Sequence, residues 1–156
     1  MMDKSIILKA VLVELKEELQ RQLKGQETAA AGATHAEAKA ETKWDTCGLE
    51  QSYLARGLAQ QFEALARQVE ELRAFVPSDF TDRPIGTGAL VETELGGEKS
   101  LFILLNCGGG VELTVDGREI TVITPESPVG AALLDKKQGA AFSFRPGEEG
   151  EILRVE

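Results

Sequence analysis

The first 76 residues contain no proline, and that absence constrains the fold more than any single motif. Proline removes a backbone donor and clashes with the preceding helical turn, so a long proline-free stretch is free to run as helix. This stretch is also dominated by Ala, Leu, Glu, Gln, Lys and Arg, the stronger helix formers. At Phe75-Val76-Pro77 the texture changes: all five prolines, most of the glycines and the short β-branched runs lie beyond it. The chain therefore divides into a helical segment, residues 1–76, and a second domain, residues 77–156.

Within the helical segment Leu8, Leu12, Leu15 and Leu19 recur at steps of 4, 3 and 4, with Val11 and Leu23 beside them and Glu17, Glu18, Arg21 and Lys24 on the other side. A second stripe, Leu58, Phe62, Leu65, Val69, Leu72 and Val76, follows the same rhythm. Two such seams in one chain bury each other most simply as an antiparallel helical hairpin, a coiled coil. A helix from Lys4 to Ala40 is about 55 Å long and one from Leu49 to Val76 about 40 Å. The stretch between them is Ala-rich with Gly25 and Gly32, and we expect the first helix to weaken or break near these glycines.

KWDTCGLEQSYLA, residues 43–55, gathers the chain's only Trp and Tyr, one of its two Cys, and the acids Asp45 and Glu50. Trp44 and Tyr53, with Leu49 and Leu54, supply the apolar area to staple the end of the hairpin. Asp45-Thr46 reads as a helix start, and Glu50 favours the positive helix end. Capping alone accounts for both carboxylates.

Several function classes are excluded or disfavoured by composition. Over 156 residues the net charge is -9, which argues against a surface for nucleic-acid phosphates, so direct DNA binding is not expected. The apolar positions of the opening segment are broken by Lys9, Glu14, Lys16, Glu17 and Glu18, and no secretory or membrane-spanning core is expected. Cys47 and Cys107 stand far apart, in neither a disulfide framework nor a zinc spacing, which suits a reducing cytoplasm. Gly108-Gly109-Gly110 lacks the Gly-Lys-Ser/Thr continuation of a phosphate loop and reads as a turn, while His35 stands without ligand partners in a polar Ala-rich stretch.

The second domain reads as α+β. Segments around 84–95 and 99–107 suggest strands, and two more flank Asp116-Gly117, a hairpin dipeptide. A short helix starts at Ser127-Pro128, with Ser as cap and Pro in the first turn, and two closing strands follow. About five strands and one helix form a small antiparallel sheet covered on one face. Residues 77–156 carry 14 acids and 7 bases, most of the chain's negative charge.

VITPESPVGAALLDKKQGAAFSF, residues 122–144, resembles the carboxy-terminal signature of the GreA/GreB transcription elongation factors. A helical hairpin ahead of it is also that family's order. The resemblance implies an FKBP-like carboxy-terminal domain that docks on RNA polymerase at the rim of its secondary channel, with Ser127, Pro128, Lys136 and Lys137 in the docking region. It implies further that the coiled coil reaches inward. There its tip acids help hold a second Mg²⁺ and its water at the polymerase active site, so that backtracked RNA is cleaved. The protein would bring no cofactor and no active site of its own. Mg²⁺ prefers hard oxygen ligands, and a two-metal site positions the attacking water.

The tip correspondence is partial. Glu50 stands three residues before Tyr53, as in the family, but Cys47 occupies the position of the family's Asp and Gln51 that of its Asn. Asp45 takes the acid's role only if the tip turns differently. A secondary-channel regulator or inhibitor on the same scaffold, without cleavage, is the equal alternative, since an ordinary thiol is mostly uncharged at neutral pH. An FKBP-like prolyl isomerase or chaperone would need an aromatic pocket, and Phe102, Phe142 and Phe144 are expected in the core instead. A plain coiled-coil interaction protein would leave the Ser-Pro-Val-Gly stretch unexplained.

Overall fold

The computed structural model describes residues 2–39 and 47–156, with side chains described for 2–25, 27–28 and from 56 onward. Two helices come first, α1 (Lys4–Lys39) and α2 (Cys47–Ala74). Six strands and a short helix follow: β1 (Leu90–Leu95), β2 (Glu98–Leu104), β3 (Glu112–Val115), β4 (Arg118–Ile123), α3 (Pro128–Leu133), β5 (Ala141–Arg145) and β6 (Glu148–Val155). The chain forms two compact units, one of Met1–Val11 with Ala74–Glu156 and one of Leu12–Arg73.

In the helical unit α1 passes without interruption through Gly25 and Gly32, so the expected break does not occur. A single helical glycine costs only about 1 kcal/mol relative to alanine. Leu23, Lys24, Gln26 and Glu27 around Gly25, and the alanines around Gly32, are strong helix formers that restore that propensity. Val69 and Leu72 of the second stripe are buried, but Val76 falls beyond the end of α2 and is 81% exposed, and Leu23 is 40% exposed.

The sheet unit holds one mixed sheet of order β3-β4-β2-β1-β6-β5. It differs from the expected antiparallel sheet of about five strands in two ways: there are six strands, and β2 pairs with β4 in parallel. The cause is the β3–β4 hairpin. Asp116 and Gly117 both have positive φ, 52° and 76°, the mark of a two-residue type I′ turn. That turn brings β4 back alongside β3, and β4 then takes the inner place beside β2. All other pairings are antiparallel.

Alternation along the strands fills both faces. Val91, Leu104, Ile123, Phe142, Ile152 and Val155 join Phe80, Ile85, Ala89 and Leu133 in one core under α3. Phe102 and Phe144 pack against this cluster, so the three strand phenylalanines serve packing. On the opposite face Leu101, Ile103, Leu113, Val115, Ile120 and Val122 are also buried. Met2 lines a cavity of about 40 Å³ on that face with Leu90, Glu92, Leu101, Arg118, Arg154 and Glu156. Ile7 and Val11, of the same unit, are fully buried. Removing a Leu, Ile or Val side chain from water contributes roughly 1.5–3 kcal/mol, so the first turns of α1 help stabilise the sheet unit.

Candidate functional site

The segment that carries the family resemblance begins at the end of β4 and turns into α3. Ser127 is the N-cap of α3, with extended φ and ψ of -72° and 151°. Its Oγ accepts from Gly130 N at 3.0 Å and donates to Thr124 O at 2.7 Å. One hydroxyl thus satisfies an otherwise unpaired helix donor and ties the helix start to the preceding turn. Pro128 occupies the first turn, where its missing N–H costs nothing.

Gly130 explains the spacing of Ser-Pro-Val-Gly. A Cβ there would stand 1.9 Å from the Thr124 carbonyl oxygen and 2.8 Å from Ser127 Oγ. Only hydrogen fits. Sequence reasoning noted the motif but assigned no role to Gly130 or Thr124; the signal was the Thr-x-x-Ser-Pro-x-Gly spacing itself.

After α3 the chain reverses at Asp135, whose φ of 65° is unusual for a residue with a side chain. The reversal lets Asp135 N donate to Ile85 O at 2.9 Å and Ile85 N donate to Lys136 O at 2.8 Å. The segment before β1 is thereby fastened beside the exit of α3. Lys136 and Lys137 follow the end of α3. Lys136 Nζ donates to Ala141 O at 2.8 Å, because the αL turn at Asp135 carries it past the helix end toward β5. Lys137 is exposed.

The four docking candidates therefore lie at the two ends of α3: Ser127 and Pro128 at its start, Lys136 and Lys137 after its finish. Ser127 is half-buried and both its hydrogen-bonding roles are used, whereas Pro128 and Lys137 present their side chains to solvent.

A second polar cluster surrounds the start of α1 and was not singled out from the sequence. Lys4 Nζ donates to Ser78 O and, at 3.2 Å, to Gly88 O, and lies 5.2 Å from the Phe80 ring centroid. Burial pushes the Lys4 ammonium below its ordinary pKa, with Asp79 and Glu156 partly restoring it. Asp79 accepts from Thr81 Oγ1 at 2.6 Å and Thr81 N at 2.8 Å, and these bonds hold its carboxyl below the usual value.

Trp44 and Asp45 lie outside the described residues. Glu50 and Tyr53 fall on α2, in its first two turns, and their side chains are outside the described set. The placement of the tip acids relative to each other is therefore not part of the described site. Among the described residues, no group of three or more His, Cys, Asp or Glu side chains is arranged to hold a metal ion. Nor is any described helix long and apolar enough to cross a membrane.

No family model matches the chain, and no curated protein does. Among solved structures it is similar to the GreA factor homolog 1 (Gfh1) protein of Thermus thermophilus, at 20% identity and a TM-score of 0.36 over 95% of this chain and 96% of that one. A second structure, of the transcription factor Gfh1, gives 22% identity and a TM-score of 0.38 over 95% and 94%. Gfh1 of Thermus aquaticus gives 20% identity and a TM-score of 0.37 over 95% of each chain.

Proposed function

We propose that this chain is a transcription elongation factor that binds RNA polymerase at the rim of the secondary channel and inserts its paired helices, as a coiled coil, toward the active site. The observation that carries the reading is the Ser127-Pro128-Val129-Gly130 helix start. The residues that resemble the Gre signature are those that the Thr124 turn and the Ser127 cap require together. That coincidence of signature and geometry is what a plain helical interaction protein lacks. In this reading α3 and the Lys136-Lys137 segment contact the polymerase, with Pro128 and Lys137 as exposed contacts. The protein works in the cytoplasm, with no cofactor of its own. Bond cleavage stays with the polymerase, whose Mg²⁺ supplies Lewis acidity and a bound water, and Asp45 and Glu50 add carboxylate oxygens near it.

A second reading is favoured by Cys47 and Gln51, which stand where the family's tip has Asp and Asn. With one ligand charge absent, the helices occupy the channel and restrain the polymerase without stimulating cleavage. One experiment separates the two. RNA in a stalled, backtracked polymerase complex is followed with Mg²⁺ and the protein, its Glu50→Ala form or its Asp45→Ala form. Shortening of the RNA that is lost in either variant supports the cleavage reading. Binding without shortening supports the restraining one, and no binding to core polymerase in any state of the complex overturns both.

A further inference from the structure

The sheet ends in two edge strands, β3 and β5, and the two edges are finished differently. Along β5 the register breaks between Phe142 and Arg145. Lys136 Nζ occupies the Ala141 carbonyl, Ser143 Oγ donates to the carbonyls of Arg145 and Glu148, and Pro146 follows directly. Bulges, lysines and prolines of this kind keep an edge from accepting another strand. β3 has none of them. Its register with β4 runs unbroken from Glu112↔Thr121 to Val115↔Arg118, its sequence is Glu-Leu-Thr-Val, and among the described residues no strand pairs with its outer side.

The tight turn fixes which groups face outward. Asp116-Gly117 makes Val115 and Arg118 the closing hydrogen-bonded pair of the hairpin, so by alternation Leu113 also bonds to Ile120. The N–H and C=O groups of Glu112 and Thr114 then point away from the sheet. Both residues are exposed, while Leu113 and Val115 turn their side chains inward. The outer edge is a short row of regularly spaced donors and acceptors.

We propose that β3 accepts one extended strand from a partner protein, a segment that alternates Lys or Arg with β-branched apolar residues. The basic positions follow from charge. The face that carries Glu112 and Thr114 also carries Glu119 opposite Thr114, with Asp116 at the turn, and all are exposed. The apolar positions follow from the other face, where an added strand continues the row of Leu113 and Val115. Main-chain bonds supply the affinity and alternate side chains the selectivity. A second copy of this chain is a poor occupant, because pairing β3 with β3 brings the Glu112, Asp116 and Glu119 carboxylates of both copies onto one seam. This edge is the one opposite β5, the strand against which α3 packs, and the proposal does not depend on the polymerase reading.

The test uses the full chain, isotopically labelled, titrated with a capped peptide alternating Lys and Val. Saturable shifts at residues 112–115, with slowed exchange of the Glu112 and Thr114 amides, are expected. Thr114→Pro removes an outward N–H without touching the ladder, so it weakens binding by about tenfold or more. Glu112→Lys likewise weakens the Lys/Val peptide and admits a Glu/Val peptide instead. Retained slow exchange at Leu113 and Val122 shows that the proline variant is folded; if it is not, Glu112→Lys carries the test alone. No saturation, shifts centred on β5 or α3, or unchanged binding in the variants overturns the proposal. So does concentration-dependent protection of these amides without peptide, which assigns the edge to a second copy.

Discussion

Two glycine-to-alanine substitutions on helices should have opposite signs. At Gly130 the added Cβ meets the Thr124 carbonyl oxygen at 1.9 Å, the Thr124 carbonyl carbon at 2.7 Å and Ser127 Oγ at 2.8 Å. The first two are backbone atoms, so relief requires α3 or the 124–127 turn to move. Overpacking of this kind costs about 1–3 kcal/mol, and movement at Ser127 forfeits a cap worth about 1 kcal/mol. Against this, alanine regains about 1 kcal/mol of helix propensity. The net expectation is a loss of about 1–3 kcal/mol from the sheet unit, or roughly 5- to 140-fold faster exchange of its slowest amides. At Gly57 in α2 nothing lies within 4 Å of the same Cβ. There the propensity term stands alone, and Gly57→Ala should stabilise α2 by about 0.5–1 kcal/mol. Native-state hydrogen exchange suits the comparison because it reads the two units separately, with Leu105 and Ile152 reporting on one and Leu65 and Val69 on the other. Unchanged or slower exchange at Leu105 and Ile152 in Gly130→Ala would refute the close approach of α3 to Thr124, and with it the account of why the motif ends in glycine.

Ser127→Ala should destabilise the sheet unit by about 1 kcal/mol, seen as a lower urea midpoint with an unchanged slope; Ser127→Asn, another capping residue, should recover part of it. Lys4→Met keeps the aliphatic stem but leaves the Ser78 and Gly88 carbonyls without their donor, so it should cost about 1–2 kcal/mol and raise the proteolytic susceptibility of the segment 76–88. Asp79 should titrate below its ordinary 3.8. Its folded form holds protons less tightly than its unfolded form, so its contribution is present above pH 3.8 and lost as pH falls through the lowered value. A carboxyl titration of Asp79 at or above 3.8, or a stability gap to Asp79→Asn that persists in strong acid, would contradict the Thr81 hydrogen bonds.

The sequence was most legible where local chemistry decides the structure. A proline-free stretch with leucines at steps of 3 and 4 became helix, and Asp116-Gly117 became a hairpin turn. Ser127-Pro128 became a capped helix start. The errors lie where tertiary context decides. Gly25 and Gly32 did not break α1, because one residue's propensity is small beside that of the helix formers around it. Val76 continues the spacing of its stripe yet follows the end of α2, and periodicity carries no information about where a helix stops. The parallel partnership of β2 with β4 could not be read, because strand order depends on which neighbour a hairpin leaves free. Lys136 could not be placed without the αL turn at Asp135. The contacts of Lys4 join residues more than 70 positions apart, and no local pattern announces them.

The position of β6 bears on how the protein is made. It follows β5 in sequence but lies between β1 and β5 in the sheet, with Val155 opposite Val91. During synthesis, α3 and the β3–β4 hairpin can form early from near neighbours, but β5 has no strand to pair with until residues 148–155 have left the ribosome. Until then the core-facing sides of Val91, Leu104 and Phe142 lack Ile152 and Val155. A nascent chain at that stage presents an apolar face and leaves open the edge of β1 that does not pair with β2. A ribosome stalled before β6 is made would therefore hold a protein that aggregates or recruits a chaperone, whereas completion of that one strand closes the sheet.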